Sequence, residues 1–456
     1  MSDESGGTAK AGGLSRGDFL KRSGAAVGGV VLGGAAAAEP SWARAIHHGA
    51  RDASVETIKI GYVSPVTGAD AGFGEPDPYV IGLAKKAFAK GFKVAGKTYD
   101  VQIIEKDAQS TPSVSAQVTQ ELINSDQIDL LLVTSTPEVV VPASGAAEAA
   151  GVPAISTTVP WQAFWLGNGN SLTSPKPFEW IFHFAFGVGN FFEAYIDMWP
   201  HVPNNKTIGV MYPNDADGNA IRGAMEPLLK GAGYTIVDPG AYEDGTTDYT
   251  SQITMFKQQN CQIFNTFPIP PDFTTFWRQA AQQGYTSQVK IAQIAKTGLF
   301  LSQVQAVGSA LGNKLATTAY WAPSWPYSSS LTGVSNKELG AGYEAHTGRY
   351  WNQQTGASMA LFDVAAAAMK ASGNPKDKSA VASALKTLKV DTPVGPLHWG
   401  TGNATTNPVP NVVATPLLGC QWLSTKKGSK YPFELSFVEH KEDPKVPVTA
   451  KLLPYS

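Results

Sequence analysis

Residues 58–107 constrain the fold of this chain more than any other segment. The segment has a β-rich run (58–64), a loop with glycines at positions 68, 72 and 74, a helical run opened by two prolines, and a second β-rich run (99–105). This order predicts a βαβ unit, which places the glycine loop at the carboxyl edge of a parallel sheet. Ligands of open α/β sheets bind at that edge. The loop fits neither glycine-rich phosphate-binding signature, so it does not predict a nucleotide site.

Strands and helices alternate along most of the remaining sequence, with one interruption. Predicted strands over 129–133 and 154–156 are separated by helices, and an irregular aromatic stretch over 161–180 follows. The alternation then resumes from 207 to 295, while the tail after residue 424 is predicted to form surface loops. Such alternation predicts parallel sheets covered by helices on both faces. Two separate runs predict two similar lobes, as the length of the chain also does.

The N-terminal segment has a basic region, an apolar run and a cleavage site in the order typical of an export signal. Arg16, Lys21 and Arg22 precede an apolar run over 24–38, and Ala43-Arg44-Ala45 offers a small-x-small cleavage site. The apolar run is shorter than the roughly 20 residues that span a bilayer. Residues 15–21 resemble a twin-arginine motif in which Gly17 replaces the second arginine, and an ordinary secretion signal is the alternative. We expect residues 1–45 to be a removed signal peptide and the mature protein to be periplasmic.

Charge and cysteine content exclude several function classes. The chain has 35 Lys and Arg residues against 37 Asp and Glu residues, so its charge gives no reason to expect a nucleic-acid partner or binding to an anionic membrane. Its two cysteines, Cys261 and Cys420, belong to no C-x-x-C motif, which argues against redox or zinc chemistry. In an oxidising compartment the two form either a disulfide or two separate buried thiols, and the sequence leaves both open.

The sequence carries no signature of catalysis. It contains no G-x-S-x-G elbow, no H-E-x-x-H motif and no histidine signature near a cysteine nucleophile. His183 either lines a ligand cleft or has a structural role. Residues 214–218 begin like a calcium loop but lack the later glutamate, so a strand-to-helix loop is the better interpretation. We therefore expect a binding protein without metal or cofactor rather than an enzyme.

Four short motifs in order resemble the branched-chain amino-acid-type substrate-binding proteins of ABC transporters, the leucine-binding-protein-like family. They lie at 63–74, 106–112, 148–156 (E-A-A-G-V-P-A-I-S) and 394–399 (V-G-P-L-H-W). The resemblance implies an α/β fold of two similar lobes, each a doubly wound, mostly parallel sheet flanked by helices, joined by a three-strand hinge. It places lobe I at 56–184 plus 320–414 and lobe II at 185–319 plus 415–456.

The resemblance also implies a ligand site on loops of both lobes. In relatives, hydroxyls and backbone groups on such loops hold a ligand carboxylate, whose charge several neutral donors can disperse. The implied ligand-binding positions are Phe73, Ser135, Thr136, Thr157, Thr158, Trp161, Asp217, Phe267, Ile269 and Lys296. Amino-acid-binding relatives present an acidic residue near the place of Lys296. This departure predicts an anionic solute that needs no free ammonium, and the alternative is that Asp217 or Glu138 supplies the carboxylate.

The function that the resemblance implies is solute capture outside the cytoplasm. We expect the solute-binding component of an ABC importer, which binds a small amphipathic carboxylate or amino-acid-like solute between its lobes. Its partners are then that solute and a permease and ATPase complex in the inner membrane. The alternative is a sensor domain that passes lobe closure to a signalling partner.

Overall fold

The computed structural model describes residues 55–267, 270–400, 402–403 and 405–456. The predicted signal peptide over 1–45 therefore lies outside the described residues. Helices and strands alternate as expected, and two short 3-10 turns add to them at Trp199–His201 and Lys296–Leu299. The helices are α1 (Ala71–Gly74), α2 (Asp77–Phe88), α3 (Pro112–Asn124), α4 (Pro137–Ala150), α5 (Trp161–Gly167), α6 (Val188–Met198), α7 (Ala216–Gly231), α8 (Thr250–Gln258), α9 (Pro270–Gln282), α10 (Leu301–Ala306), α11 (Ser309–Gly312), α12 (Asn336–Thr347), α13 (Gln354–Ala371) and α14 (Lys378–Leu385).

The first sheet has seven strands. They are β1 (Thr57–Ser64), β2 (Phe92–Val94), β3 (Lys97–Asp107), β4 (Leu130–Val133), β5 (Ala154–Thr157), β6 (Ile181–Phe184) and β14 (Val412–Val413). Their order is β14-β6-β5-β4-β1-β3-β2, and every neighbouring pair is parallel except β2 and β3. Every residue of β4, β5 and β6 is buried, because helices cover both faces of this parallel sheet.

The second sheet also has seven strands. They are β7 (Thr207–Met211), β8 (Thr235–Val237), β9 (Ile263–Thr266), β10 (Ile291–Ile294), β11 (Ala316–Ala319), β15 (Leu418–Ser424) and β16 (Phe433–Phe437). Their order is β16-β15-β11-β10-β9-β7-β8. The last two strands, β15 and β16, run antiparallel to their neighbours. A separate hairpin joins β12 (Lys389–Thr392) to β13 (Gly395–His398).

Both sheets share one topology. Numbered from its own first parallel strand, each sheet has the order 5-4-3-1-2, as β6-β5-β4-β1-β3 in the first and β11-β10-β9-β7-β8 in the second. The chain passes between the sheets three times, after β6, β11 and β14. The predicted fold class, two similar lobes that each contain a doubly wound and mostly parallel sheet, is confirmed. The residue boundaries of the two lobes stay predictions.

Several local features follow from the sequence and a few depart from it. Helix α12 begins with the predicted capping box, in which Ser335 Oγ accepts from the Glu338 N–H and Glu338 Oε2 accepts from the Ser335 N–H at 2.9 Å. Within the tail predicted as loops, β16 instead pairs with β15 and buries Phe433 and Phe437. Among the described residues, no helix has the length and apolar character needed to cross a membrane.

The two cysteines are buried free thiols. Neither Cys261 nor Cys420 forms a disulfide, which decides between the two alternatives that the sequence leaves open. Burial raises the pKa of both thiols, so each stays protonated. They are therefore apolar packing groups of the second lobe.

Candidate functional site

Loops at the carboxyl ends of the strands enclose one cavity between the two sheets. In each sheet the strand order reverses at one point, between β4 and β1 and between β9 and β7, and such points form ligand crevices. The cavity holds about 490 Å³ of empty space, part of it open to solvent. Its lining residues are Phe73, Ser135, Thr136, Pro137, Thr158, Pro160, Phe186, Phe191, Asp217, Phe267, Ala295, Lys296, Leu299, Thr318, Tyr320 and Leu417.

Three hydroxyl groups of the first lobe lie in the cavity wall without a hydrogen-bond partner. They are Ser135 Oγ and Thr136 Oγ1, which follow β4, and Thr158 Oγ1, which follows β5. The three residues are only 1%, 2% and 6% exposed. An unpaired buried hydroxyl costs about 1–3 kcal/mol, so buried polar groups are rarely left unpaired. Three of them at one cavity indicate a binding site for a polar group of a ligand.

An ion pair forms the opposite wall, in the second lobe. The Lys296 ammonium lies 2.7 Å from Asp217 Oδ2 and 3.1 Å from Asp215 Oδ2. Asp215 also caps α7, since its Oδ1 accepts from the Gly218 N–H at 2.6 Å. Residues 214–218 are therefore a helix cap, and no group of three or more potential metal ligands occurs in the part of the chain that the structure describes.

Two cavity residues have strained backbones. Lys296 has a φ of 39° and Thr158 a φ of 66°, both in the left-handed region that side-chain-bearing residues rarely adopt. Such residues cost about 1–3 kcal/mol each and cluster at functional sites, because the surrounding structure must hold them. Both strained residues line the cavity, one carrying a cation and one an unpartnered hydroxyl.

The negative charges of four carboxylates act on the Lys296 ammonium. Burial alone would lower the pKa of Lys296, but these carboxylates raise it well above its ordinary value: Asp217, Asp215, Glu138 and Asp70. Burial raises the pKa of Asp217 to about 6, although Lys296 opposes that shift. It likewise raises the pKa of Asp70 and of Glu138 in the first lobe. Four carboxylates therefore act on this one lysine, and one of them, Asp217, lines the cavity.

Aromatic rings form the apolar part of the cavity. Phe191 and Phe267 meet edge to face with centroids 5.0 Å apart, and Phe186 packs on Tyr320 at 5.3 Å. Phe73 completes this set from the loop after β1. All five residues are buried, so the rings are positioned before a ligand arrives. Such walls suit an apolar or aromatic ligand body.

The structure brings seven of the ten implied positions to this cavity. These are Phe73, Ser135, Thr136, Thr158, Asp217, Phe267 and Lys296. The Thr157 hydroxyl instead donates to the Phe184 carbonyl at 2.8 Å. Trp161 begins α5, and its N–H donates to the Phe186 carbonyl at 2.9 Å, but it does not line the cavity. Ile269 lies outside the described residues.

Other residues matter that the implied set omits. Phe186 and Phe191 line the cavity, and Asp70 acts on Lys296 from the glycine loop. Phe186 comes just after β6, so attention to every strand end would have found it. His183 has the structural role: its ring Nε2–H donates to the Val159 carbonyl (2.9 Å), its Nδ1 contacts Ser156 Oγ at 2.8 Å, and burial lowers its pKa to about 4.

Known proteins match both the sequence and the fold. The chain is 23% identical over 391 residues to the Leu/Ile/Val-binding protein homolog 8 of Brucella abortus (strain 2308), covering 83% of this chain and 92% of that protein. A leucine-binding protein from Thermotoga maritima has a TM-score of 0.65 and 15% identity, covering 83% of this chain and 97% of that one. A solute-binding protein of R. palustris, solved with 4-hydroxybenzoate, has a TM-score of 0.67 and 17% identity, covering 88% and 98%.

The match to a family model extends over most of the sequence. The model described as periplasmic binding protein covers residues 57–412, which include β1 to β6 of the first sheet and all parallel strands of the second. The resemblance drawn from the four motifs is thereby confirmed. The chain belongs to the periplasmic binding protein family and is a solute-binding protein rather than an enzyme.

Proposed function

We propose that this chain is the extracytoplasmic solute-binding component of an ABC importer. It closes its lobes around a small amphipathic carboxylate or amino-acid-like solute and delivers that solute to a permease and ATPase complex in the inner membrane. The observation that carries the proposal is the convergence of three unpartnered hydroxyls and five aromatic rings on one cavity between the lobes. Similar proteins include a leucine-binding protein and one solved with 4-hydroxybenzoate.

The first lobe offers a place for an anionic group. Thr136 is the N-cap of α4, its hydroxyl makes no capping bond, and Ser135 precedes it. The first N–H groups of a helix lack intrahelical partners and carry the positive end of the helix dipole. A solute carboxylate at this helix end would receive hydrogen bonds from neutral donors without a buried countercharge.

Closure of the lobes would complete the site. The walls come from both sheets, and little of the cavity is free for water-sized molecules, so a solute of amino-acid size needs the lobes to part before it enters. The three connections between the sheets are the natural hinge for that movement. The solute favours the closed form only as far as it makes contacts there that the open form lacks.

Export is part of the proposal and has its own test. N-terminal sequencing of the protein recovered from the periplasm should give a start at Ile46, after the Ala-Arg-Ala site. Arg16→Gln should block export if the twin-arginine route operates. A full-length chain that stays in the cytoplasm would contradict the localisation.

A thermal-shift screen of the mature protein tests the binding function. The library holds amino acids, aromatic acids, amides and short-chain acids, each at millimolar concentration. A ligand present at 100 times its Kd stabilises the folded protein by about 2.7 kcal/mol, which gives a clear rise in Tm. The double variant Thr136→Val/Thr158→Val serves as control and should lose the response to each hit. A library without hits would refute the proposal.

A further inference from the structure

We infer that residues 439–443, which follow β16, bind the chain at all three connections between the sheets and limit how far the two lobes part. This segment is called the hinge strap below. The inference rests on the proposed function, because it concerns the lobe movement that admits the solute. The family model ends at residue 412, so the match assigns no role to these residues.

Glu442 of the hinge strap joins the first and third connections. Its Oε1 accepts from Asn190 Nδ2 and its Oε2 from the Leu417 N–H, both at 2.8 Å. Asn190 lies in the first turn of α6, directly after the first connection, and its Oδ1 accepts from the Gly187 N–H at 2.7 Å. Leu417 ends the third connection, just before β15. One carboxyl therefore holds the ends of two connections together.

The first and third connections also bind each other directly. The Ala185 N–H donates to the Val413 carbonyl at 3.1 Å, and the Thr415 N–H donates to the Ala185 carbonyl at 3.2 Å. The two connections form one hydrogen-bonded ribbon for this reason. A side chain that restrains either of them restrains both.

Asp443 extends the hinge strap to the second connection. Its Oδ2 accepts from the Tyr327 hydroxyl at 2.5 Å, and the residue is only 7% exposed. Tyr327 follows the second connection, and its ring lies against the β12–β13 hairpin, since a Cβ atom at Gly395 would lie 3.6 Å from it. That hairpin packs on α13, which also packs on β5 of the first sheet. The contact therefore reaches from the strap to the first lobe.

The other residues of the strap attach it to the second lobe. The Lys441 ammonium lies 3.2 Å from Glu193 Oε2 and 3.0 Å from Asp197 Oδ2, both on α6. Glu439 Oε2 accepts from the Gly419 N–H of β15 at 3.0 Å. The strap is thus fixed to one lobe, while Glu442 and Asp443 hold the connections and the other lobe.

The polar side chains of the strap border an open pocket rather than a packed core. This second pocket, lined by other residues than the cavity, holds about 820 Å³ of empty space, part of it open to solvent. Asn190, Tyr327, Glu442 and Asp443 all line it. Shortening one of these side chains leaves no new void in a core, so its effect should appear in lobe movement more than in stability.

The contact between the lobes fixes the direction of the expected change. The rings of Phe73 and Phe300 already touch across the cavity entrance, with centroids 4.9 Å apart. Lobes in contact can move apart but cannot come closer, because side chains pack as hard bodies. Release of the strap should therefore increase the mean distance between the lobes.

Double electron–electron resonance on the ligand-free mature protein measures that distance. Ser113→Cys and Ser251→Cys carry the spin labels, since both serines are exposed in the first turns of α3 and α8, one in each lobe. The native Cys261 and Cys420 are fully buried and should not react. The distribution of label distances reports the range of lobe opening.

Two substitutions release the strap, each with a matched control. Tyr327→Phe removes the bond to Asp443, and Glu442→Ala removes both bonds to the connections. Each should broaden the distribution and raise its mean beyond the scatter of repeated measurements, and the double variant should do so most. Tyr285→Phe and Glu434→Ala are the controls. In the described part of the chain the Tyr285 hydroxyl has no hydrogen-bond partner, and Glu434 is exposed on β16. Both controls should keep the wild-type distribution.

The results separate the strap from the proposed function. A double variant that is folded by circular dichroism and has the wild-type distribution overturns the inference, and so does an equal shift in the controls. If the double variant does not fold, Tyr327→Phe alone decides, since it removes a single hydroxyl. The solute screen tests the proposed function without these variants. A screen hit with unchanged distances therefore refutes only the strap, whereas altered distances without any hit refute only solute binding.

Discussion

The rings of Phe73 and Phe300 meet edge to face between the two lobes, with centroids 4.9 Å apart. Phe73 belongs to α1, after the first strand of the first sheet, and Phe300 precedes α10 in the second lobe. Gly72 faces the same ring, because a Cβ atom there would lie 3.2 Å from Phe300. The contact joins the lobes beside the cavity, so we expect a separation of the lobes to break it.

Removing this contact should weaken ligand binding. An aromatic pair adds about 0.5–1.5 kcal/mol beyond its buried area, so Phe300→Ala should lower the affinity for any hit up to about tenfold. Calorimetry measures the affinity, and small-angle scattering with ligand present should show a larger mean radius. Phe300→Leu keeps apolar volume and should have an intermediate effect. An unchanged affinity in a folded Phe300→Ala protein would contradict a role in closure.

The unpartnered hydroxyls predict variants that bind poorly but fold well. Thr136→Val and Thr158→Val should each weaken binding by about 1–3 kcal/mol, because a polar ligand atom loses its partner in a closed cavity. Neither hydroxyl has a partner in the free protein, so Tm without ligand should stay equal or rise. Calorimetry and thermal unfolding measure the two effects separately.

Thr157→Val is the matched control for this pair. Its hydroxyl donates to the Phe184 carbonyl, so the substitution should lower the free energy of unfolding by about 1 kcal/mol and spare the affinity. Adjacent threonines would then show opposite behaviour. Equal affinities in Thr136→Val, Thr158→Val and wild type would place the ligand elsewhere.

The fold was predictable where periodic patterns are long. The alternation of strands and helices gave the two doubly wound lobes, and the capping box at Ser335 and Glu338 located the start of α12. The tail was not predictable in the same way. Phe433, Leu435 and Phe437 alternate with polar residues as a strand does, but Lys426, Gly428 and Pro432 nearby are typical of a loop. Pairing with β15, a tertiary effect, decides in favour of a strand.

Most residues that line the cavity could be predicted from the sequence, but the interactions between them could not. The family resemblance implied Ser135, Thr136 and Thr158, and topology explains why the loops that carry them meet at one edge of the sheet. The ion-pair partners of Lys296 could not be predicted in this way. Asp215 lies about eighty positions earlier in the chain, and only the folded arrangement shows that it and Asp217 meet the lysine. Sequence shows which charges exist, whereas their balance at a cavity depends on tertiary contacts.

The buried carboxyl of Asp363 should make the free energy of unfolding depend on pH. This carboxyl on α13 is 1% exposed, and its Oδ1 accepts from Ser329 Oγ and the Leu331 N–H, both at 2.7 Å. Burial raises its pKa to about 7, above the ordinary 3.8. Because the folded state holds the proton more tightly, the stabilising contribution is complete below about pH 4 and is lost as pH rises through 7.

Asp363→Asn should therefore flatten the pH profile of unfolding. The free energy of unfolding of the wild type should fall between pH 5 and 8, by up to about 1.4 kcal/mol per unit for this group. The variant should lose that part of the slope and be the more stable protein at pH 8. Urea unfolding across this range measures the effect, with exposed Asp100→Asn as control. A wild-type profile that rises with pH would contradict the assignment.

The carboxyl of Asp217 gives ligand binding a pH dependence of the opposite sign. Burial raises its pKa to about 6, while Lys296 lowers it and Glu138 and Asp215 raise it. Above this pH the carboxylate offers a negative charge and a free acceptor to a solute amine. Below it the group is protonated, and the affinity for any amine-bearing hit of the screen should fall by about tenfold per pH unit, since one proton competes with the ligand.

Without ligand, the ionisation of Asp217 should change the stability of the protein in the opposite direction. Its folded pKa lies above the ordinary value, so ionisation costs free energy and the free protein gains stability as pH falls from 7 to 5. Calorimetry at pH 5–8 and thermal unfolding without ligand follow the two trends in one protein. Asp217→Asn should bind the same amine-bearing hit weakly with no pH dependence over this range. A wild-type affinity that stays constant from pH 7 to 5 would show that Asp217 does not hold the amine, and Glu138, whose Oε2 is also unpartnered, would become the next carboxylate to replace.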